Sequence, residues 1–148
     1  MSLLPPRNNA DYRGAVISAW FLALLGLGSL LPGCIHYFLP DGGAGVIAGL
    51  DMGDKRPLIV GVFAWIGATQ IAYGFAQLAV ALRYRALTPL FLLLALIERA
   101  LGAAAAWVTK GSPTSHHPPE NYAVLILTPL ILLFLLLSLR DRAPGRAG

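Results

Sequence analysis

Glu98 and Arg99 are adjacent charges in the middle of an apolar segment that spans 87–109. A charge in apolar surroundings is costly unless it is paired. Such residues therefore indicate either a functional site or an ion pair within the fold. Adjacent residues of a helix point about 100° apart, yet both side chains can reach the same space between helices. The two could relay a proton, hold an anionic or polar ligand, or act as an acid/base pair. The alternative is a buried polar network that sets helix packing and does no chemistry.

Polar residues of a second apolar segment could partner these charges. At about 100° per residue, Gln70, Tyr73 and Gln77 share one face of a helix with two glycines. Small residues let helices approach closely, and amides then form hydrogen bonds across the contact. We therefore predict that this face meets the face that bears both charges. The candidates for a ligand-binding site or a polar core are Glu98, Arg99, Gln70, Gln77 and Tyr73.

A second group of residues could bind a metal ion. His36 ends the first apolar segment, and His116, His117 and Glu120 lie in a proline-rich stretch. Imidazoles and a carboxylate are ligands for zinc or copper. The residues lack a fixed helical spacing such as H-E-x-x-H, and a G-x-G-x-x-A match at 43–48 follows no strand. We therefore predict neither a metal site nor a cofactor.

The composition places these residues in a membrane protein. Of the 148 residues, 57% are hydrophobic and 12% are charged, against about 45–50% and about 25% in soluble domains. So little charge could not cover so much apolar surface in water. The chain carries a net charge of +4, but its basic residues lie at the ends of apolar segments and form no patch. We expect membrane lipid as a partner and no nucleic acid.

Four apolar segments are long enough, or nearly so, to cross a hydrocarbon core, which takes about 20 residues. They span 15–39, 58–82, 87–109 and 122–139. Within a bilayer each must be a helix, because no water is present to satisfy the backbone. The sequence predicts an all-α fold, in which residues 1–148 form a single integral membrane bundle of four transmembrane helices.

The basic residues also predict the orientation of the chain. Those on the side of the N-terminus are Arg7, Arg13, Arg83, Arg85, Arg140, Arg142 and Arg146; those on the opposite side are Lys55, Arg56 and Lys110. Loops rich in Lys and Arg stay in the cytoplasm. We therefore expect a multi-pass protein of the bacterial inner membrane with both termini in the cytoplasm.

Cys34, the single cysteine, cannot form a disulfide within the chain. It ends a Leu31-Pro32-Gly33-Cys34 stretch similar to a lipobox, so one alternative is a cleaved, lipidated N-terminus. The apolar run continues past the cysteine to residue 39, which favours an uncleaved first helix.

Several short motifs resemble those of one known group of proteins. They are Trp65-Ile66-Gly67, Gln70, Tyr73-Gly74, Gln77, Arg83-Tyr84-Arg85-Ala86-Leu87 and Leu96-Ile97-Glu98-Arg99. These motifs are similar to a bacterial family of small four-helix integral membrane proteins of unknown function. The resemblance implies the fold and no particular activity. Small multidrug-resistance transporters are similar in length and helix count, but their essential carboxylate lies in the first helix, where this chain has none.

Three classes of function fit these observations. We favour an accessory or small-ligand or lipid-binding membrane protein that has a polar cluster near the midplane and no catalysis. The first alternative is an oligomeric, proton-coupled carrier of a small solute that uses Glu98. The second is a membrane-embedded enzyme with Glu98 as acid/base and Arg99 as the holder of an anionic group. Besides lipid, the expected partners are further copies of the chain or a membrane partner protein.

Overall fold

The chain folds into four helices in the computed structural model, which describes residues 3–110 and 117–140. The helices are α1 (Val16–Phe38), α2 (Arg56–Arg83), α3 (Thr88–Ala104) and α4 (Pro119–Ser138). A π-helical turn, Ala105–Thr109, continues α3, and short 3-10 turns lie at Asn9–Asp11, Gly53–Lys55 and Arg85–Leu87. Four helices are long and apolar enough to cross a membrane. This confirms the predicted all-α four-helix membrane bundle; His116, Arg142 and Arg146 lie outside the described residues.

Prolines set where three of the helices begin. Pro57, Pro89 and Pro119 each occupy the first turn of a helix, where the fixed φ of proline suits the helix and its missing N–H is not needed. One difference from the predicted boundaries follows from this preference. Helix α4 begins at Pro119 and not at residue 122, because the proline itself forms the first turn.

Helices α1 and α2 form the closest pair. Gly26 and Gly33 on α1, and Gly67 and Gly74 on α2, are each seven positions apart, which places each pair on one helix face. A Cβ atom built on Gly67 would lie 2.7 Å from the carbonyl oxygen of Gly33, and one on Gly74 would lie 2.7 Å from that of Gly26. The two backbones therefore touch at two levels. This corrects our expectation that the glycine face of α2 meets α3.

The hydrophobic core lies in the half of the bundle near the N-terminal segment and the α2–α3 turn, which we call the terminal end. Leu22, Leu92 and Ile131, from three different helices, are fully buried there. The rings of Phe21 and Phe134 stack at 4.0 Å between their centroids and join α1 to α4. Few large side chains are buried in the opposite half, the far end, so the helices leave space between them there.

The N-terminal segment is fastened across the terminal end. The side-chain amide of Asn9 donates to the carbonyl of Leu82 at 2.8 Å and accepts from the N–H of Arg85 at 3.2 Å. The Tyr84 hydroxyl donates to the carbonyl of Pro5 at 3.0 Å. These bonds satisfy backbone groups that the end of α2 would otherwise leave open, and they keep this end of the bundle closed.

Candidate functional site

A cavity of about 340 Å³ occupies the far end of the bundle. It lies between α1, α2, the start of α4 and the loop after α1, and Arg99 reaches it from α3. Its apolar lining comes from Pro32, Ile35, Ile47, Leu50, Phe63 and Leu127, and its polar lining from His36, Gln70, Arg99, Glu120 and Asn121. Many apolar walls with a few convergent polar groups are typical of small-molecule sites.

Asp41 organises the loop that covers the far end. Its carboxylate accepts hydrogen bonds from the backbone N–H groups of Gly43 at 2.9 Å, Gly45 at 3.1 Å and Val46 at 2.9 Å. The bonds from Val46 and Gly43 hold the pKa of Asp41 below its usual 3.8, because they favour the ionised carboxylate. One carboxylate thus shapes a whole turn.

The turn itself needs glycine at two positions. Gly42 and Gly43 have φ values of +62° and +75°, a region that side-chain-bearing residues rarely adopt. With this geometry the chain turns back toward the bundle, and Ile47, Ala48 and Leu50 line the cavity. The loop is therefore a wall of the site.

Arg99 lies between two carboxylates. Its Nε is 3.6 Å from Oε2 of Glu98, and its terminal nitrogen is 3.7 Å from Oε1 of Glu120. The Arg99 side chain is 15% exposed, while those of Glu98 and Glu120 are 51% and 59% exposed. Pairing recovers part of the cost of placing a charge inside a membrane segment. We call these three residues the charged triad.

The side-chain oxygen of Gln70 accepts no hydrogen bond from the described residues. Its Oε1 atom is buried and has no hydrogen-bond partner within 3–110 and 117–140. An unsatisfied buried polar atom costs about 1–3 kcal/mol. Gln70 lines the cavity, so this unpaired acceptor lies beside the space in which a ligand could sit.

The predicted polar cluster is only partly assembled. Glu98 shares a groove of about 360 Å³ with Tyr73, Gln70, Thr69 and Leu94, and the Tyr73 ring stacks on Phe91 of α3. Gln70 lines both this groove and the cavity, so it stands between them.

Gln77 lies elsewhere, contrary to the expectation that it would face α3. It is buried, and its Oε1 accepts a hydrogen bond from the hydroxyl of Ser29 at 3.2 Å. This contact is part of the close α1–α2 pair. The reason is geometric, since the face of α2 that carries its glycines can pack on only one helix.

The structure fixes how His36 can act in the cavity. Its Nδ1 is 2.7 Å from the carbonyl oxygen of Gly42, and a carbonyl only accepts, so we assign the proton to Nδ1. In the neutral ring Nε2 is then an acceptor. The ring packs edge-on against Phe63 at 5.0 Å.

The remaining candidates for metal ligands have other contacts. His117 stacks on Trp107 at 4.3 Å, and the indole N–H of Trp107 donates to the carbonyl of Asn121 at 3.0 Å, which joins the end of α3 to the start of α4. Glu120 pairs with Arg99. Among the described residues, no group of three or more His, Cys, Asp or Glu could hold a metal ion.

Sequence reasoning missed two parts of the site. It considered Glu120 only as a candidate metal ligand, in a site that it did not predict, and not as the partner of Arg99, although Glu120 is the acid of the first turn of α4. It also missed the loop wall, for which Asp41 followed by two glycines was an available signal of a side-chain-capped turn. Cys34 lies inside α1, four residues before its end, with an exposed side chain.

No family model, curated protein or solved structure matches this chain. The cavity and the charged triad are therefore the features that bear on its function.

Proposed function

We propose that this protein is a non-catalytic membrane protein that binds a small amphipathic molecule in the far-end cavity. The observation that carries the proposal is the cavity itself, about 340 Å³ with apolar walls and a few polar groups at one place. Ligand pockets typically measure about 300–1,000 Å³ and have this composition. The apolar walls suit a hydrocarbon chain, and the triad and Gln70 suit a polar head.

The same proposal includes location and orientation. We infer a bacterial inner-membrane protein with both termini in the cytoplasm, because Lys and Arg are concentrated at the terminal end. In this orientation the cavity lies on the outer side of the membrane. A ligand would reach it from the outer leaflet or from the periplasm.

The chemistry of the lining favours binding over catalysis. The charges of Arg99, Glu98 and Glu120 compensate one another. His36 holds a backbone carbonyl, and none of the described residues that line the cavity is a Ser, Thr or Cys nucleophile. Covalent catalysis would need such a nucleophile beside a base.

Photoaffinity labelling tests this proposal. The protein is reconstituted in phosphatidylcholine nanodiscs and exposed to decyl amphiphiles that carry a diazirine in the tail and differ in their head groups. We expect at least one of them to label the cavity wall, near Ile47, Phe63 and Leu127. Labelling of lipid-facing residues alone, for every head group, would overturn the proposal.

A matched pair of variants sharpens this test. Leu127 lines the cavity, while its neighbour Ile126 is 64% exposed on the surface of α4. Leu127→Trp should fill part of the cavity and reduce specific labelling by about tenfold, which is about 1.4 kcal/mol. Ile126→Trp adds the same ring on the lipid side and should leave labelling unchanged.

The proton-coupled carrier is a second candidate, favoured by one observation. Glu98 is half exposed in the groove between α2 and α3, where a carboxylate could exchange protons. A carrier predicts solute flux into liposomes that depends on pH and that Glu98→Gln abolishes. Asp54→Asn, which removes an exposed acid outside the groove, is the control. Absence of pH-dependent flux in wild-type liposomes would exclude this candidate.

A further inference from the structure

The charges around the cavity indicate which head group it would hold. Arg99 is close to two carboxylates, at 3.6 Å and 3.7 Å, so its positive charge is already compensated. With all three side chains ionised, the charged triad has one net negative charge; Arg99 and Glu120 line the cavity, and Glu98 lies in the neighbouring groove. An anionic head group would therefore gain little from Arg99 and would be repelled by Glu120. A cationic head group would be attracted.

The hydrogen-bonding groups that line the cavity also favour a head group that donates hydrogen bonds. Gln70 Oε1 is a buried acceptor with no donor in the part of the chain that the structure describes. The carboxylate of Glu120 accepts hydrogen bonds only, and a His36 ring that carries its one proton on Nδ1 has Nε2 as an acceptor. The donors of Arg99 face its two carboxylates and the amide nitrogen of Asn121 faces His117, so the remaining polar groups of the lining are acceptors. A protonated amine supplies both a positive charge and up to three N–H donors.

We propose that the cavity takes an amphiphile with a protonated amine head group. The ammonium donates to Gln70 Oε1 and to the carboxylate of Glu120, and the hydrocarbon chain lies against Ile47, Phe63 and Leu127. This inference rests on the proposed function, because it needs an amphiphile in the cavity. It adds the chemical class of the ligand.

Four probes with one tail separate charge from hydrogen bonding. Decylammonium, decyltrimethylammonium, decanol and decyl sulfate are titrated into the protein in phosphatidylcholine nanodiscs at pH about 7, with empty nanodiscs subtracted. We expect decylammonium to bind about tenfold more tightly than decanol, and decyl sulfate to bind weakest. Decyltrimethylammonium should bind more weakly than decylammonium, because it has no N–H donor.

Variants then assign the preference to residues. Glu120→Gln should reduce the preference for decylammonium over decanol to about threefold or less, and Gln70→Leu should abolish the advantage of decylammonium over decyltrimethylammonium. Asp54→Asn removes an acid that is also at the far end of the bundle but lines none of the described pockets. It should change neither the preference over decanol nor the preference over decyltrimethylammonium. If Glu120→Gln fails to fold, the effect of Gln70→Leu on the preference for decylammonium over decyltrimethylammonium tests the proposal by itself.

The outcomes distinguish the two proposals. If decyl sulfate binds as tightly as decylammonium and Leu127→Trp weakens both, the amine assignment is wrong and the binding function stands. If Leu127→Trp weakens none of the four probes, the binding function itself is wrong. Equal binding of decylammonium and decyltrimethylammonium would overturn the hydrogen bond to Gln70.

Discussion

Arg99 is the central residue of the charged triad, because it is the shared partner of both carboxylates. It is the least exposed member of the triad and touches both carboxylates. Glu98 and Glu120 are half exposed, so each contributes less to stability than a buried partner would. Removing either acid leaves Arg99 with the other, whereas removing Arg99 leaves two like charges close together.

The first prediction follows from this asymmetry. Arg99→Gln should lower the free energy of unfolding by about 1–2 kcal/mol, because it removes two ion pairs at once and each such pair with a half-exposed partner contributes up to about 1 kcal/mol. Glu98→Gln should cost less than about 1 kcal/mol, because Glu120 still compensates Arg99. Melting temperatures in detergent at pH about 7 measure both. Equal losses for the two variants would contradict the central role of Arg99.

Asp41 gives the second prediction at this scale. Its pKa is lowered below 3.8 in the folded chain, so its stabilisation is fully present above the unfolded value and is lost as the pH falls through the folded value. Amide hydrogen exchange of Gly43, Gly45 and Val46 should be slow at pH about 7 relative to the unprotected chain. This protection should decline as the pH falls below 3.8 and through the lowered pKa of Asp41.

Asp41→Asn tests whether the carboxylate organises the loop, and Asp51→Asn is the control. The amide keeps one acceptor oxygen but has no charge, so protection at pH about 7 should fall and its dependence on acid should disappear. Asp51→Asn, where Asp51 accepts a single hydrogen bond from Gly53, should leave the exchange of the 43–46 amides unchanged. Unaltered protection in Asp41→Asn would show that the carboxylate does not organise the turn.

Among the elements, the α1–α2 pair is held by glycines at heptad spacing. Small residues matter at such a contact because membrane helices gain no hydrophobic energy from each other and associate by close packing and hydrogen bonds. The buried Ser29–Gln77 hydrogen bond at 3.2 Å lies in the same interface. This closely packed pair forms one side of the cavity.

Gly74→Ala should therefore destabilise the bundle. Its Cβ would lie 2.7 Å from the carbonyl oxygen of Gly26, and overpacking of this kind typically costs about 1–3 kcal/mol. Gly61→Ala, in the same helix with nothing within 4 Å of its Cβ, should be neutral or slightly stabilising. Melting of the two variants in one detergent makes the comparison. A similar melting temperature for both would refute the close contact.

The molecule as a whole is packed at one end and open at the other. Buried residues from all four helices meet at the terminal end, where the N-terminal segment also lies across the α2–α3 turn. At the far end the walls are a loop and the start of α4, with a cavity between them. The packed end supplies the stability that lets the other end stay open.

Cysteine accessibility tests the orientation proposed for this arrangement. In a Cys34→Ala background, Asp54→Cys marks the far end and Ala86→Cys marks the α2–α3 turn. A membrane-impermeant maleimide should label Asp54→Cys in intact cells and Ala86→Cys only after lysis. The opposite pattern would place the cavity on the cytoplasmic side and contradict the proposed orientation.

The amino-acid sequence by itself determined the four helices. Length, apolar composition and prolines are local properties, so they identify membrane-crossing segments whatever the helices pack against. The same reasoning identified Glu98, Arg99 and Gln70 as unusual, because a polar residue in an apolar segment is conspicuous without any neighbour. The starting point of α4 was three residues off, since it depends on how Pro118 and Pro119 shape one turn.

Only the tertiary structure decided which faces meet. Connection by a short turn did not make α3 the close partner of the glycine face of α2, because close packing requires matching glycines and those lie on α1. Arg99 points away from Glu98 around the helix by about 100°, so it reaches α4 and finds Glu120. Pairing of this kind depends on how the surfaces of two segments distant in sequence fit together. A hydropathy pattern describes each segment separately and so does not predict which surfaces meet.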